Sequence, residues 1–217
     1  MSTKIVAILQ SNYIPWKGYF DIIGKSDLFL LFDEAQFTRR DWRNRNIILL
    51  NGAPFKLTIP LKTKGNYHSA ICDMKVSDHG WAEKHWKTIQ QAYSKAPHYA
   101  RYREALEEAY EKAAGFDRLS EINLHFLRLL MGLAGIDTLL GTTQDVPRAA
   151  TSPTGRLVEI CKAKGATHYF SGPAARAYME PELFEEAGIE LLYADYSGYE
   201  PYPQMSTTFD HHVSMID

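Results

Sequence analysis

Two near-continuous apolar runs, Ile5-Val-Ala-Ile-Leu9 and Leu28-Phe-Leu-Leu-Phe32, flank a helix-length segment at about 18–25. Strands that read as apolar throughout are buried on both faces, the habit of parallel sheets whose crossovers are helices. A strand–helix–strand unit of this kind commits the chain to layered α/β architecture. The pattern resumes late in the sequence. A strand is expected near Thr138–Leu140, a helix over Pro153–Lys164, a strand at His168–Phe170, a helix over Pro181–Glu186 and a strand at Glu190–Tyr193. The expected fold is α/β, a parallel sheet flanked by helices.

The middle of the chain breaks that rhythm. Ile47-Ile-Leu-Leu and Phe55–Pro60 flank Asn51-Gly52, a hairpin signal, and the following Ala53-Pro54 predicts a connection longer than two residues. Trp81–Lys95, Tyr99–Lys112 and Leu119–Leu133 carry apolar residues at helical spacing, with Pro97 and Gly115 at the breaks and Ser120 as a cap for the third. Residues 1–217 therefore read as one α/β domain, with a β-hairpin and loop over 46–80 and a helical insertion over 81–135 inside it. The Tyr-, Pro- and His-rich tail Tyr196–Asp217 is expected to lie over the domain surface.

Composition excludes several function classes. A net charge of −2 gives no global pull toward nucleic acid or membrane, so any polyanion site must come from local clustering. Cys72 and Cys161 lie far apart without metal-type spacing and read as reduced thiols. No signal-peptide pattern and no spanning apolar run is present, which predicts a cytoplasmic protein with no membrane span. The eight histidines, His68 and the His211-His212 pair included, show no HExxH spacing and no cysteine partner, so no metal site is expected. GxSxG and P-loop signatures are missing as well.

Four constellations can carry chemistry. The first apolar run empties into Gln10, Asn12, Tyr13, Trp16, Lys17 and Tyr19, where core packing calls for none of these residues and a ligand-facing turn does. Asp33, Glu34 and Gln36 follow the second run, either as sugar-hydroxyl acceptors and a general base or as solvated partners of nearby arginines. Arg39, Arg40, Arg43 and Arg45 interleave with Trp42, Asn44 and Asn46. Guanidinium forks grip phosphate and an indole stacks on a base or sugar face, although Asp33, Glu34 and Asp41 can neutralise the arginines instead. His168 opens a strand that ends in Ser171-Gly172, with Arg176 expected one turn into a helix. A bare N-cap is the other reading of that serine.

These motifs resemble the WbqC-like family, associated with bacterial O-antigen and other surface-polysaccharide gene sets. The likeness rests on Gln10-x-x-Tyr-x-Pro-Trp-x-Gly-Tyr-Phe20, Asp33 to Gln36, Arg40-x-Trp-x-Asn-Arg-Asn46, Asn51-Gly and His168-Tyr-x-Ser-Gly. It covers nearly the whole chain and implies that the protein continues beyond Asp217. A fainter likeness links the first strand and its Pro-containing turn to the HxGH nucleotidylyltransferases, implying a Rossmann-like (HUP-type) sheet. Trp16 and Tyr19 stand where those enzymes keep their two histidines, and these stabilise charge on the α-phosphate, so nucleotidyl transfer itself does not carry over.

The resemblance implies an enzyme of surface-polysaccharide precursor biosynthesis, transferring an acyl or aminoacyl group to a nucleotide-linked amino sugar. Such a reaction needs a base, for which Asp33, Glu34 and His168 compete, oxyanion donors (Gln10, Asn12, Tyr13) and phosphate anchors (Lys17, Arg40, Arg45, Arg176). Trp16, Tyr19 and Trp42 suit stacking; Gln36, Asn44, Asn46, Ser171 and Gly172 complete the binding set. No cofactor is called for, and nucleic acid enters only as an aminoacyl-tRNA donor. The alternatives are a nucleotidyltransferase-like enzyme with altered catalytic groups and a non-catalytic nucleotide- or RNA-binding module. The sequence leaves the oligomeric state open.

Overall fold

The computed structural model describes residues 2–66 and 68–217. The chain resolves into two compact units. One is built from Met1–Gln10, Gly18–Glu34 and Ile136–Tyr199, the other from Ser11–Lys17, Ala35–Gly135 and Glu200–Asp217. The residues read from sequence as a hairpin and a helical insertion fall in the second unit.

The first unit is the parallel sheet. Its strands are β1 (Ile5–Leu9), β2 (Leu28–Leu31), β5 (Leu139–Thr142), β6 (His168–Ser171) and β7 (Glu190–Tyr193), in spatial order β5-β2-β1-β6-β7. Every pairing is parallel, and β1 sits centrally with Val6 opposite Leu28 and Tyr169. Counted within this sheet, the order is third, second, first, fourth, fifth, the Rossmann-like arrangement, and it reverses direction between β1 and β6. Helices α1 (Lys17–Gly24), α5 (Pro153–Ala163) and α6 (Pro181–Glu186) belong to the crossovers. Val6, Ile8, Leu30, Tyr169, Ile160, Cys161 and Phe184 form one contiguous buried cluster, with Tyr169 stacked flat on Phe184 at 5.0 Å. The Cys161 thiol inside it is pushed up to about 12 by burial.

The second unit begins with β3 (Arg45–Leu50) and β4 (Ala53–Thr58). Asn51 and Gly52 both take positive φ, +53° and +78°, so they alone make the turn, in the primed form that matches strand twist. The longer connection expected from Ala53-Pro54 is thus not needed. Leu50 faces Ala53 next to the turn and Leu49 faces Pro54. Antiparallel pairs alternate between bonded and non-bonded, and the position after the first bonded pair needs no N–H from proline. Accordingly, the Leu49 N–H turns outward and donates to Tyr93 Oη at 3.1 Å.

Three helices follow, α2 (Trp81–Tyr93), α3 (Tyr99–Ala113) and α4 (Leu119–Ala134), each within two residues of its expected bounds. The cap of α4 is not Ser120. Glu121 reaches back to accept the Arg118 N–H at 3.2 Å, which leaves Ser120 inside the first turn. The tail departs from the sequence reading at its end. Val213 and Ser214 are buried, and Ser214 donates its N–H to Ile47 O and its hydroxyl to Ile14 O. That end is woven into the second unit, to which Glu200–Asp217 belongs. Among the described residues no helix is long and apolar enough to cross a membrane.

Candidate functional site

The second unit carries the most informative geometry, at the turn that follows β1. Ile14 holds φ +36°, a conformation that a β-branched side chain adopts only under constraint. The constraint comes from three bonds made by two distant side chains, together with two backbone bonds. Asn46 Nδ2 donates to both Tyr13 O (3.1 Å) and Ile14 O (2.9 Å), and Ser214 Oγ adds a third bond to Ile14 O at 2.7 Å. The Met215 N–H meets Pro15 O at 2.8 Å, and the Tyr13 N–H meets Trp42 O at 3.2 Å. Side chains and tail together over-determine the turn.

That clamped turn forms one wall of a hollow of about 230 Å³ lined by Asn12, Pro15, Trp16, Trp42, Asn46 and His212. Two motifs singled out in the sequence, Gln10–Phe20 and Arg40–Asn46, therefore meet here through Asn12, Trp16, Trp42 and Asn46. Trp42 is 43% exposed, an unusual state for an indole with no function to serve. His212 stacks on Trp16, with ring centroids 6.1 Å apart and planes inclined by 26°. The Arg43 guanidinium donates to Asn12 Oδ1 and pairs with Asp41 at 3.5 Å. Burial works to raise the Asp41 carboxyl, yet bonds from Thr38 Oγ1 and the Trp42 N–H, with the Arg43 charge, hold it below its ordinary value. Aromatic faces and amides lining a small open hollow, with a guanidinium bonded to one of the amides, are groups that suit a sugar ring or a nucleobase.

His212 was not singled out by sequence, where its pairing with His211 drew attention to metal binding. Its Nδ1 stands 3.4 Å from Asp210 Oδ1, and the same oxygen accepts its backbone N–H at 2.7 Å. The only sequence signal for this is an aspartate two residues before the histidine. Among the described residues no cluster of three metal-ligating side chains exists.

Other expected binding residues of this unit have structural employment. Tyr13 is fully buried, its hydroxyl 2.9 Å from His85 Nδ1 and 2.7 Å from Tyr110 Oη, so it faces no ligand. Asn44 Nδ2 donates to Ile59 O, and the backbone of Gln36 pairs with that of Ala70 while the residue itself is exposed. Lys17 Nζ lies 5.1 Å from the centres of both the Tyr202 and Phe209 rings. Desolvation there lowers the lysine pKa, against the upward pull of Asp217. Arg40 is exposed at φ +60°, and Arg45 opens β3 opposite Thr58.

In the first unit, Gln10 follows β1, Asp33 is buried just past β2, and Ser171 closes β6 with Gly172 behind it. All four stand at the carboxyl edge of the sheet, and Gln10 and Ser171 end the two strands between which the order reverses, where open α/β sheets receive ligands. Several neighbours are otherwise engaged. Tyr19 is buried against Phe20 and Phe29, and its hydroxyl donates to Gln10 O at 3.0 Å. Glu34 accepts both Nε and Nη2 of the buried Arg156 at 3.1 and 2.7 Å, a forked pair that fastens β2 to α5. Arg176 lies in a short 3-10 turn, Pro173–Ala177, rather than a helix, with its guanidinium 4.5 Å from the centre of the Tyr193 ring. His168 begins β6 and Ser171 ends it, so the two stand at opposite ends of that strand. Both of its ring nitrogens are occupied, by Thr167 Oγ1 at 2.8 Å and Glu190 at 3.0 Å.

Comparison with known proteins places these residues in context. A model described as the WbqC-like protein family matches residues 10–217. The chain is similar to "Uncharacterized protein Rv1507c" of Mycobacterium tuberculosis (strain ATCC 25618 / H37Rv), with 38% identity over 214 residues, covering 99% of this chain and 92% of the relative. No solved structure matches.

Proposed function

Since the chain belongs to the WbqC-like protein family, we propose that it serves surface-polysaccharide precursor synthesis, binding a nucleotide-linked amino sugar and transferring an acyl or aminoacyl group to it. One observation carries the reading. Trp16 and Trp42, with the amides of Asn12 and Asn46, line one hollow whose backbone is held in a strained shape by three side-chain bonds. An indole covers the apolar face of a pyranose or a base, and the Asn12 amide suits its hydroxyl or carbonyl edge, while the N–H groups of Asn46 hold the wall of the hollow. Arg40, Arg43 and Arg45, on or beside the Trp42 loop, suit the diphosphate that links sugar to nucleoside. The donor is an activated ester or thioester, an aminoacyl-tRNA among the possibilities.

The test is calorimetric titration with UDP-glucosamine, whose 2-amino group is free. Micromolar binding that weakens about tenfold or more in Trp16→Ala and Trp42→Ala, as expected for loss of one stacking face, supports the reading. Absence of binding to the wild-type protein, across a panel of amino-sugar nucleotides, ends it. The Rossmann-like strand order favours one second reading, an enzyme of the nucleotidyltransferase type with altered catalytic groups. Exchange of labelled pyrophosphate into a nucleoside triphosphate would select that reading.

A further inference from the structure

We infer that His212, held by Asp210, is the proton acceptor of the tryptophan hollow, and that it acts on the amine of the sugar; the inference rests on the amino-sugar reading above. The dyad is built from a fixed piece of backbone. Gln204 Oε1 accepts the Asp210 N–H at 2.8 Å and Gln204 Nε2 donates to Asp210 O at 2.9 Å, so both backbone groups of Asp210 are pinned. Asp210 Oδ1 accepts the His212 backbone N–H at 2.7 Å and stands 3.4 Å from Nδ1. Val213 and Ser214, immediately beyond, are buried and anchored to β3 and to the strained turn. The imidazole, stacked on Trp16, is thereby presented on the hollow that Trp42, Asn12 and Asn46 share.

A carboxylate 3.4 Å from Nδ1 favours the proton on that nitrogen, which leaves the Nε2 lone pair as the acceptor, the arrangement that orients a general base. The charged groups around it are Asp210 on its own segment, Lys17 against the adjoining Phe209 ring, and Arg43 behind Asn12. In the transfer, the neutral amine forms a new N–C bond at the carbonyl carbon of the ester or thioester donor. Nε2 takes a proton from that nitrogen, the C–O or C–S bond breaks, and the departing oxygen or sulfur receives the proton from Nε2. Atoms and charge balance with no further reactant.

The experiment is long-range 1H–15N correlation NMR of the full chain labelled at histidine and tryptophan, first alone and then with UDP-glucosamine. An exposed histidine without a carboxylate partner favours the Nε2–H tautomer, so the expected result for His212 is the reverse, predominantly Nδ1–H, with reversion in Asp210→Asn. The wild-type spectrum needs no variant, so a poorly folded Asp210→Asn cannot obscure it. A predominantly Nε2–H wild-type His212 overturns the inference. Saturating UDP-glucosamine is expected to shift Nε2 of His212 together with the indole resonances of Trp16 and Trp42. Indole shifts with His212 unmoved overturn the proton acceptor while leaving the sugar reading intact. Silence at all three with UDP-glucosamine and with every member of the amino-sugar nucleotide panel removes the sugar reading, and the inference with it.

Discussion

In the first unit, order comes from a backbone ladder. Five parallel strands satisfy one another and apolar side chains fill the space on either face, with the buried Arg156 fork on Glu34 as a polar fastening. In the second unit, much of the order is carried by buried polar side chains. Tyr13, His85 and Tyr110 form a linked set beneath Trp81 and Phe126, Asn46 and Ser214 hold the turn at Ile14, and Asn123 Nδ2 ties Ser11 Oγ to Arg43 O. A ladder tolerates exchange of one apolar residue for another of similar volume, whereas a polar set fails when any member is lost. Candidate binding geometry accompanies the second kind of order.

The comparison breaks most visibly at Phe126. This ring is fully buried, 4.7 Å from Tyr110 and 5.5 Å from Tyr13, and Phe126→Ala is expected to cost about 4 kcal/mol in urea unfolding. Phe29→Ala in the sheet should cost a similar amount, so the pair calibrates apolar loss in both units. The next effect separates them. Burial lowers the His85 pKa to about 4 from an ordinary 6.5, against a bond to the Thr58 backbone that favours the charged form. The folded form thus binds its proton less readily than the unfolded chain does. Stability from this group is complete above pH 6.5 and is lost as pH falls toward 4, about 3 kcal/mol in all. Urea midpoints measured from pH 7 to 4 should show that slope, and His85→Gln should flatten it.

A smaller loss isolates the hydroxyl alone. Tyr13→Phe keeps the ring but leaves His85 Nδ1 and Tyr110 Oη without it, at a cost of about 1–3 kcal/mol. If the midpoint does not move, the polar set is passive filling and the contrast between the units weakens. Smallest of all on stability is Trp42→Ala, expected within about 1 kcal/mol because the indole is 43% exposed, while sugar-nucleotide affinity drops tenfold or more. Equal losses in melting and binding would make Trp42 a structural residue.

The same contrast explains what could be read in advance. β1 and β2 were legible because apolar runs have a length and a period, and the helices because spacing of three and four residues survives any tertiary context. The hairpin was legible at Asn51-Gly52, but its length was misjudged because Pro54 was weighed without the pairing alternation that excuses it. At the site, residue type exposed Trp16, Trp42, Asn12 and Asn46, since such residues are costly to gather without purpose. Tyr13, Tyr19, Glu34 and His168 carried the same polar signal and were placed by burial and pairing instead. A local pattern states that a group will seek a partner, and not whether that partner is a ligand or the protein. His212 was illegible for the converse reason, as its role depends on a tail segment whose position no periodicity specifies.

The bond from Ser214 to Ile14 joins residues two hundred positions apart. Contacts of that separation close late, after the chain between them has ordered. A polypeptide without residues 204–215 would carry all the strands and helices, yet the tryptophan hollow would lack His212 and the Ser214 part of its clamp. The hollow's full form therefore depends on a segment that follows every strand and helix of the two units in the chain.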